Sequence, residues 1–562
     1  MCGRADRRTP VPAPFPPRRP TLRPDCFPVL FAVAAVAAAG LPSAHAQGPL
    51  RGGELIYLDP QAHTNLYPPA AGFYPNGGIL DQVTDRLTWQ NPQTLEIEPW
   101  LAQSWSSNAD DTEYTFHLRP GVTFSDGTPL DARAVALNYE TYGKGNPALH
   151  FPVSEVINNF DHAEILDPLT VRFHFTRPSP GFLQGTSVIG SGIVSPATLA
   201  HPFDQLGVGT QVVGSGPFVI VRDVPGKEVD LVARRDYAWP PASRAGQTRA
   251  WLDGVKILVT PEDSIRVGAL LAGQADLIRQ VEAYDEEQVT LAGYRLYAPS
   301  TRGVNTGIAF RPDNPLVADI RVREALLHAT DRQEIVTTLY SANYPLARSV
   351  LSARAAGFRD LSDRLGFDPR RAAQLLDEAG WRLGPDGLRH RDGQTLALGI
   401  HISQPHPQNR TMLELLAQQW RRVGVQLTVM SGSAAGVILD NLDPTRTPVT
   451  VSEVGRADPD VMKSEFFPSN RDTLLQKGGQ SAKVRAFRDD RLDAMLLQVA
   501  SDTDRQDRLR HLGDVQEYIV QNAYTIPIFE EPQVYAGAPG VHGVGFEAVG
   551  RPSFYGIWLD RR

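Results

Sequence analysis

Residues 28–42 read PVLFAVAAVAAAGLP, an apolar run too short to span a bilayer comfortably. A Pro- and Arg-rich stretch precedes it, and SAHA follows, with small residues at Ala44 and Ala46. A basic flank, a short apolar core and an A-x-A-like end make a secretory signal, with cleavage expected after Ala46, so that residues 1–46 are removed. No other feature constrains the fold as strongly, because it fixes the compartment and what reaches it. Both cysteines, Cys2 and Cys26, precede the run, so the exported chain is expected to have no disulfide, thiolate metal site or Cys nucleophile. Neither stands directly after the run, where a lipid-attachment cysteine would. No second apolar run of about 18 residues follows. The expectation is a periplasmic protein, soluble once the signal is cleaved and not a lipoprotein.

At 562 residues the chain is too long for one ordinary core, and two or three domains are expected. A formal net charge of −8 and the lack of any Lys/Arg block argue against nucleic acid as a partner. Strand signals dominate the first half. TEYTFHL (112–118) alternates, Arg119-Pro120-Gly121 turns, and VTF (122–124) is expected to return as a strand. VRFHFT (171–176), EVDLVAR (228–234) and VKILVT (255–260) are further strands. Asp126, in Ser-Asp-Gly-Thr, invites a catalytic role, but turn residues surround it, so it reads as a corner with Asp131 capping the next helix.

Helices are clearer later. DPRRAAQLLDEAG (368–380) has Asp368 as N-cap, Pro369 at the first helical position and Gly380 as terminator. Asp331 and Glu334 are spaced as a capping box. Met412, Leu415, Leu416 and Trp420 form a core stripe before the strand VQLTV (425–429), and a late helix over 507–523 precedes TIPIFE (525–530). Such alternation predicts mixed α/β or α+β domains.

Five segments then occur in order: IEPWLAQSW with DTEYTFHLRPGVTFSDGTPLDARAV (97–135), VVGSGPFVI with LVARRDYAW (212–239), VTPEDSIRVGALLAGQADL (259–277), DIRVREALLHATDRQEIV (319–336) and DPRRAAQLLDEAGW (368–381). Together they make the chain resemble the family 5 solute-binding proteins of ABC importers, the oligopeptide-, dipeptide- and nickel-binding group. The resemblance covers about residues 50–535. It implies a two-lobed periplasmic-binding-protein fold of class II type that closes on solute. Lobe I would comprise 48–300 and 527–562, with an extra subdomain at about 75–210, and lobe II would comprise 301–526. The crossovers would lie near Ser300–Val304 and Thr525–Phe529. The implied partners are a small-molecule ligand and the permease and ATPase subunits of an importer. The protein itself is expected to be a monomer with no cofactor and no enzymatic activity.

There is no G-x-S-x-G, P-loop, H-E-x-x-H or dinucleotide fingerprint. An exported hydrolase remains the rival of a different class, since triads assemble from distant residues. In peptide-binding members of the family, an aspartate four residues before the proline of an Asp-Pro loop pairs with the peptide amine. Here that loop is VGRADPDVMKSEFF (454–467), and Gly455 stands at the position. Arg456 follows, able to fork onto a ligand carboxylate, and Asp458 shares the loop. The alternative for Arg456 is a structural salt bridge to Asp458 or Asp460. HISQPHPQNR (401–410) offers His406 to a metal, though only through a bound chelate, and Arg410 to an anion. AAGFYPNGG (70–78) contributes Phe73, Tyr74 and Asn76 ahead of a helix, with Gly77-Gly78 permitting close backbone approach. The expected solute is peptide-like or an amino-carboxylate, including a metal–chelator complex, with an ordinary di- or oligopeptide as the alternative.

Overall fold

The structure, a computed structural model, describes residues 48–402, 408–432, 436–437, 440, 443, 445–467 and 489–560. The expected signal segment, both cysteines and His406 lie outside the described residues. No described helix is long and apolar enough to cross a membrane.

The strand Glu54–Asp59 shows how the first lobe is layered. Alternate side chains leave a strand on opposite faces, and here Leu55 and Tyr57 enter one core while Leu58 enters another. This strand lies inside a seven-stranded sheet ordered 295–297, 535–537, 277–279, 54–59, 254–259, 228–233 and 218–224. It runs parallel to Gly254–Val259 and Leu277–Arg279, while the remaining pairs are antiparallel. One face carries a subdomain built on a four-stranded antiparallel sheet ordered 102–107, 113–118, 170–175 and 160–167. Its core is aromatic: Tyr139 meets Phe173 at 4.6 Å between ring centroids, and Phe182 lies 5.3 Å from Phe173.

Asp131 caps the helix Ala132–Lys144 by accepting from Arg133 and Ala134 backbone N–H groups at 3.0 Å. Asp126 accepts from the Thr128 N–H at 2.9 Å and its hydroxyl at 2.6 Å, closing the turn. The expected return strand at 122–124 does not form; Thr123 makes only an isolated bridge to Pro129. The neighbours that Glu113–Leu118 selects instead are Ala102–Ser107 and Thr170–Phe175, each pairing with most of its length. In VVGSGPF, Gly214 lets the chain press against the end of the helix Tyr74–Val83, where a Cβ would lie 1.9 Å from the Val83 carbonyl oxygen.

The second lobe is organised around a three-stranded sheet ordered 449–454, 304–310 and 525–529. Trp381, Trp420, Leu375, Leu376 and Met412 fill its core. Asp368 caps the helix Pro369–Glu378 as expected, accepting from Arg370 and Arg371 N–H groups. Only half of the Asp331/Glu334 box forms. Asp331 accepts from the Glu334 N–H at 2.9 Å, but the Glu334 carboxylate turns to Gln419 at 2.8 Å. The late helix starts at Arg505, capped by Asp504.

The chain leaves the first sheet after Tyr297, enters the second at Val304, and returns between Phe529 and Tyr535. The two passages are bonded to each other. Thr301 donates from its backbone and its hydroxyl to the Glu531 carbonyl, both at 3.1 Å, and the Gln533 N–H donates to the Pro299 carbonyl at 2.9 Å.

Candidate functional site

The lobes face each other across a cavity of about 80 Å3 lined in part by Arg86, Trp89, Glu155, Gly455, Arg456 and Arg551. Arg86 follows the helix Tyr74–Val83 and is 1 % exposed. Its Nη2 donates to Asp81 at 2.8 Å, and its guanidinium lies over the rings of Trp89 and Trp100. Arg551 reaches in from the C-terminal segment. Its Nη2 donates to the Ala71 and Gly72 carbonyls at 3.1 and 3.2 Å, its Nη1 faces Glu547 at 3.4 Å, and it lies 4.6 Å from the Tyr74 ring centroid. Gly77 makes room for this side chain, since a Cβ there would sit 2.3 Å from Arg551 Nε.

Three nitrogens on this wall are buried without a hydrogen-bond partner: Arg86 Nε, Arg551 Nε and Trp89 Nε1. A buried donor without an acceptor costs on the order of 1–3 kcal/mol, and all three belong to residues that line this cavity. Each guanidinium already has a carboxylate beside it, in Asp81, Glu547 or Asp458. The site therefore offers directed donors rather than surplus positive charge.

Arg456 and Asp458 come together as a bidentate pair, with Nε and Nη2 each 2.7 Å from a carboxylate oxygen. Arg456 Nη1 donates to Ser464 at 2.6 Å and, across the cleft, to Glu155 at 3.2 Å. Burial alone would weaken this guanidinium's hold on its proton, but Asp458 and Glu155 hold its pKa above the ordinary arginine range. Tyr74 donates its hydroxyl to the Val549 carbonyl, and a Cβ on Gly455 would lie 3.5 Å from that hydroxyl. Phe73 is the half-buried residue before the helix, at its N-cap. Asn76, 1 % exposed, accepts from the Thr64 N–H and donates to the Ala70 carbonyl, bracing the preceding loop. Arg410 is exposed in the first turn of the helix Gln408–Arg422, 3.5 Å from Glu414. Sequence inspection missed Arg86, Trp89 and Arg551, and no local pattern marks any of them. Among the described residues no group of three or more His, Cys, Asp or Glu side chains is placed to hold a metal ion.

Residues 96–467 match the model of the bacterial extracellular solute-binding proteins, family 5 Middle, which is well over half of the chain. The chain belongs to family 5. It is 26% identical to heme-binding protein A of Haemophilus influenzae over 502 residues, 85% of this chain and 87% of that protein. To the glutathione-binding protein GsiB of Escherichia coli it is 24% identical over 492 residues, 84% of this chain and 88% of the relative. Among solved structures it superposes on NikA of Brucella suis in complex with Fe(III)-EDTA, with a TM-score of 0.73 and 22% identity, covering 90% of this chain and all of NikA. A dipeptide-binding protein from Pseudoalteromonas in complex with Met-Leu gives a TM-score of 0.77 at 20% identity, with 90% of this chain and 100% of that one covered.

As a family 5 protein, it is a solute-binding component of an ABC importer, and its relatives are binding proteins rather than enzymes. The family blocks noticed in the sequence are largely clasps. Arg266, 1 % exposed, donates to the carbonyls of Thr260, Pro261, Arg279 and Gln280. Arg323 likewise holds the carbonyls of Val317, Ala318 and Asn522. Tyr237 and Trp239 donate to Asp85, whose burial pushes its pKa up to about 6 despite those bonds.

Proposed function

We propose that this exported protein captures a small peptide-like or amino-carboxylate solute, including a metal held by a carboxylated chelator, and presents it to the permease of its importer. The observation that carries this reading is an interlobe cavity lined by Arg86, Trp89, Arg456 and Arg551, four side chains that carry N–H donors. A carboxylate of the solute would accept from them. Heme, glutathione, Met-Leu and Fe(III)-EDTA, named for the relatives above, all carry carboxylates, which supports the same chemistry here. Arg456 and Asp458 then act mainly as a closing contact: their pair forms within one loop, and the arm to Glu155 joins the lobes when the cleft shuts. The protein works as a periplasmic monomer without a lipid anchor and performs no covalent chemistry.

Native mass spectrometry of the exported protein should find a retained carboxylate-bearing solute. Two variants then test the wall by titration calorimetry with that solute. Trp89→Phe removes a donor that has no partner in the empty protein and should weaken binding roughly 3- to 10-fold, the loss of one hydrogen bond. Arg551→Met should weaken it roughly 10- to 100-fold. A retained solute without a carboxylate, or full affinity in both variants, would overturn the reading.

A further inference from the structure

Where the two crossing passages meet, a second cavity of about 20 Å3 opens along the same interface. That is room for one water-sized group rather than a whole solute. Its wall includes Glu282, Tyr340, Tyr344, Asn409, Phe529 and Glu531. The three rings form a continuous aromatic surface, with Tyr340 centred 4.4 Å from Phe529 and 4.9 Å from Tyr344. Glu282 and Glu531 are 3 % and 7 % exposed. The Thr306 hydroxyl donates to Glu531 at 2.9 Å, and Gln280 donates to Glu282 at 3.3 Å. The charged groups that act on Glu531 are Glu453 and Glu282, both of its own sign, whereas Glu282 is faced by Asp263, Arg266 and Asp285. Asn409, 3 % exposed, has an Nδ2 with no hydrogen-bond partner on this same wall.

Buried carboxylates that repel each other beside an aromatic surface are stabilised by a cation, which both the charges and the ring faces attract. We propose that this cavity receives the ammonium group of the solute, with Glu531 and Glu282 as its counter-charges, the Tyr340–Tyr344–Phe529 surface as its wall, and Asn409 donating to an acceptor next to the ammonium. The strand Val449–Val454 links the two places: Glu453 acts on Glu531, and Gly455, two residues on, lines the first cavity. The acidic partner for an amine that is absent at 455 is thus supplied by other elements, at the crossing of the chain. This rests on the reading above, in which the carboxylate end lies in the first cavity, and it assigns the opposite pole of the same solute.

The test uses calorimetric titration of the exported protein with three probes: an equimolar pool of free dipeptides, the same pool N-acetylated, and amine-free di- and tricarboxylates. Free dipeptides should bind, and N-acetylation should lower affinity roughly 10- to 100-fold, as the loss of a charged hydrogen-bonded contact does. Glu531→Gln, which keeps an acceptor for Thr306, should lower affinity for the free pool to the same degree and leave that for the acetylated pool unchanged. Equal binding of free and acetylated pools, tight binding of amine-free carboxylates, or no binding of the free pool would overturn the proposal. Sensitivity to acetylation together with indifference to Trp89→Phe and Arg551→Met would instead retain this subsite and reject the carboxylate cavity.

Discussion

Replacing Arg279 by alanine is expected to destabilise the protein by about 3–5 kcal/mol, the usual cost of stranding one partner of a buried ion pair. Arg279 is 2 % exposed and grips Asp59 through Nε at 2.9 Å and Nη2 at 2.8 Å. It also donates to Gln533 at 3.1 Å and Gln61 at 2.9 Å, so one side chain ties the first strand of the sheet to the returning passage. Alanine would leave the Asp59 carboxylate buried with the Tyr57 hydroxyl and a backbone N–H for company. Urea unfolding followed by tryptophan fluorescence should show a lower midpoint with a similar slope. Adding Asp59→Asn should recover much of the loss, because no buried charge then lacks a partner. A midpoint within experimental error of the parent would contradict the structure at this point.

The second large effect depends on pH. Burial, with Asp263 nearby, pushes the Glu282 carboxyl up to about 7. The folded protein therefore keeps a proton that the unfolded chain releases near its ordinary value of about 4.5. The stability contributed by that protonated form is complete below the ordinary value and is lost as pH rises through about 7. Glu282→Gln cannot ionise and retains an acceptor for Gln280, so the empty variant should exceed the parent by roughly 3 kcal/mol at pH 8 and by little near pH 4. Unfolding curves at the two pH values measure this directly. A variant that gains nothing at pH 8 would show that Glu282 is ionised at no cost in the empty cleft.

The sequence was legible where structure is local. Asp131, Asp368 and the Asp126 corner depend on residues two or three positions away, and the caps form as their spacing predicts. The family blocks were visible too, but as signatures; that Arg266 gathers four backbone carbonyls and Arg323 reaches Asn522 follows only from the fold. The same limit explains the errors. VTF had the composition of a strand, but its neighbour Glu113–Leu118 found longer partners from residues 102–107 and 170–175. Glu334 had the spacing of a capping box, but Gln419, 85 positions away, offered its carboxylate a donor. The wall of the interlobe cavity was the least legible part. Arg86 and Arg551 come from opposite ends of the chain, and a pattern within any window of sequence cannot bring them together. Arg456 is intermediate, since its bond to Asp458 is local and its reach to Glu155 is not.

The position of Tyr535–Gly537 has a consequence for biogenesis. This strand is not an edge: it lies between Leu277–Arg279 and Arg295–Tyr297, and pairs with both. During synthesis the first sheet consequently stays split, with a slot open in it, until residues 535–537 have been made. Cooperative folding of the first sheet therefore waits on a strand that follows every strand of the second sheet in sequence. Truncation before residue 535 should accordingly leave two open strand edges and yield an aggregating product rather than a shortened binding protein.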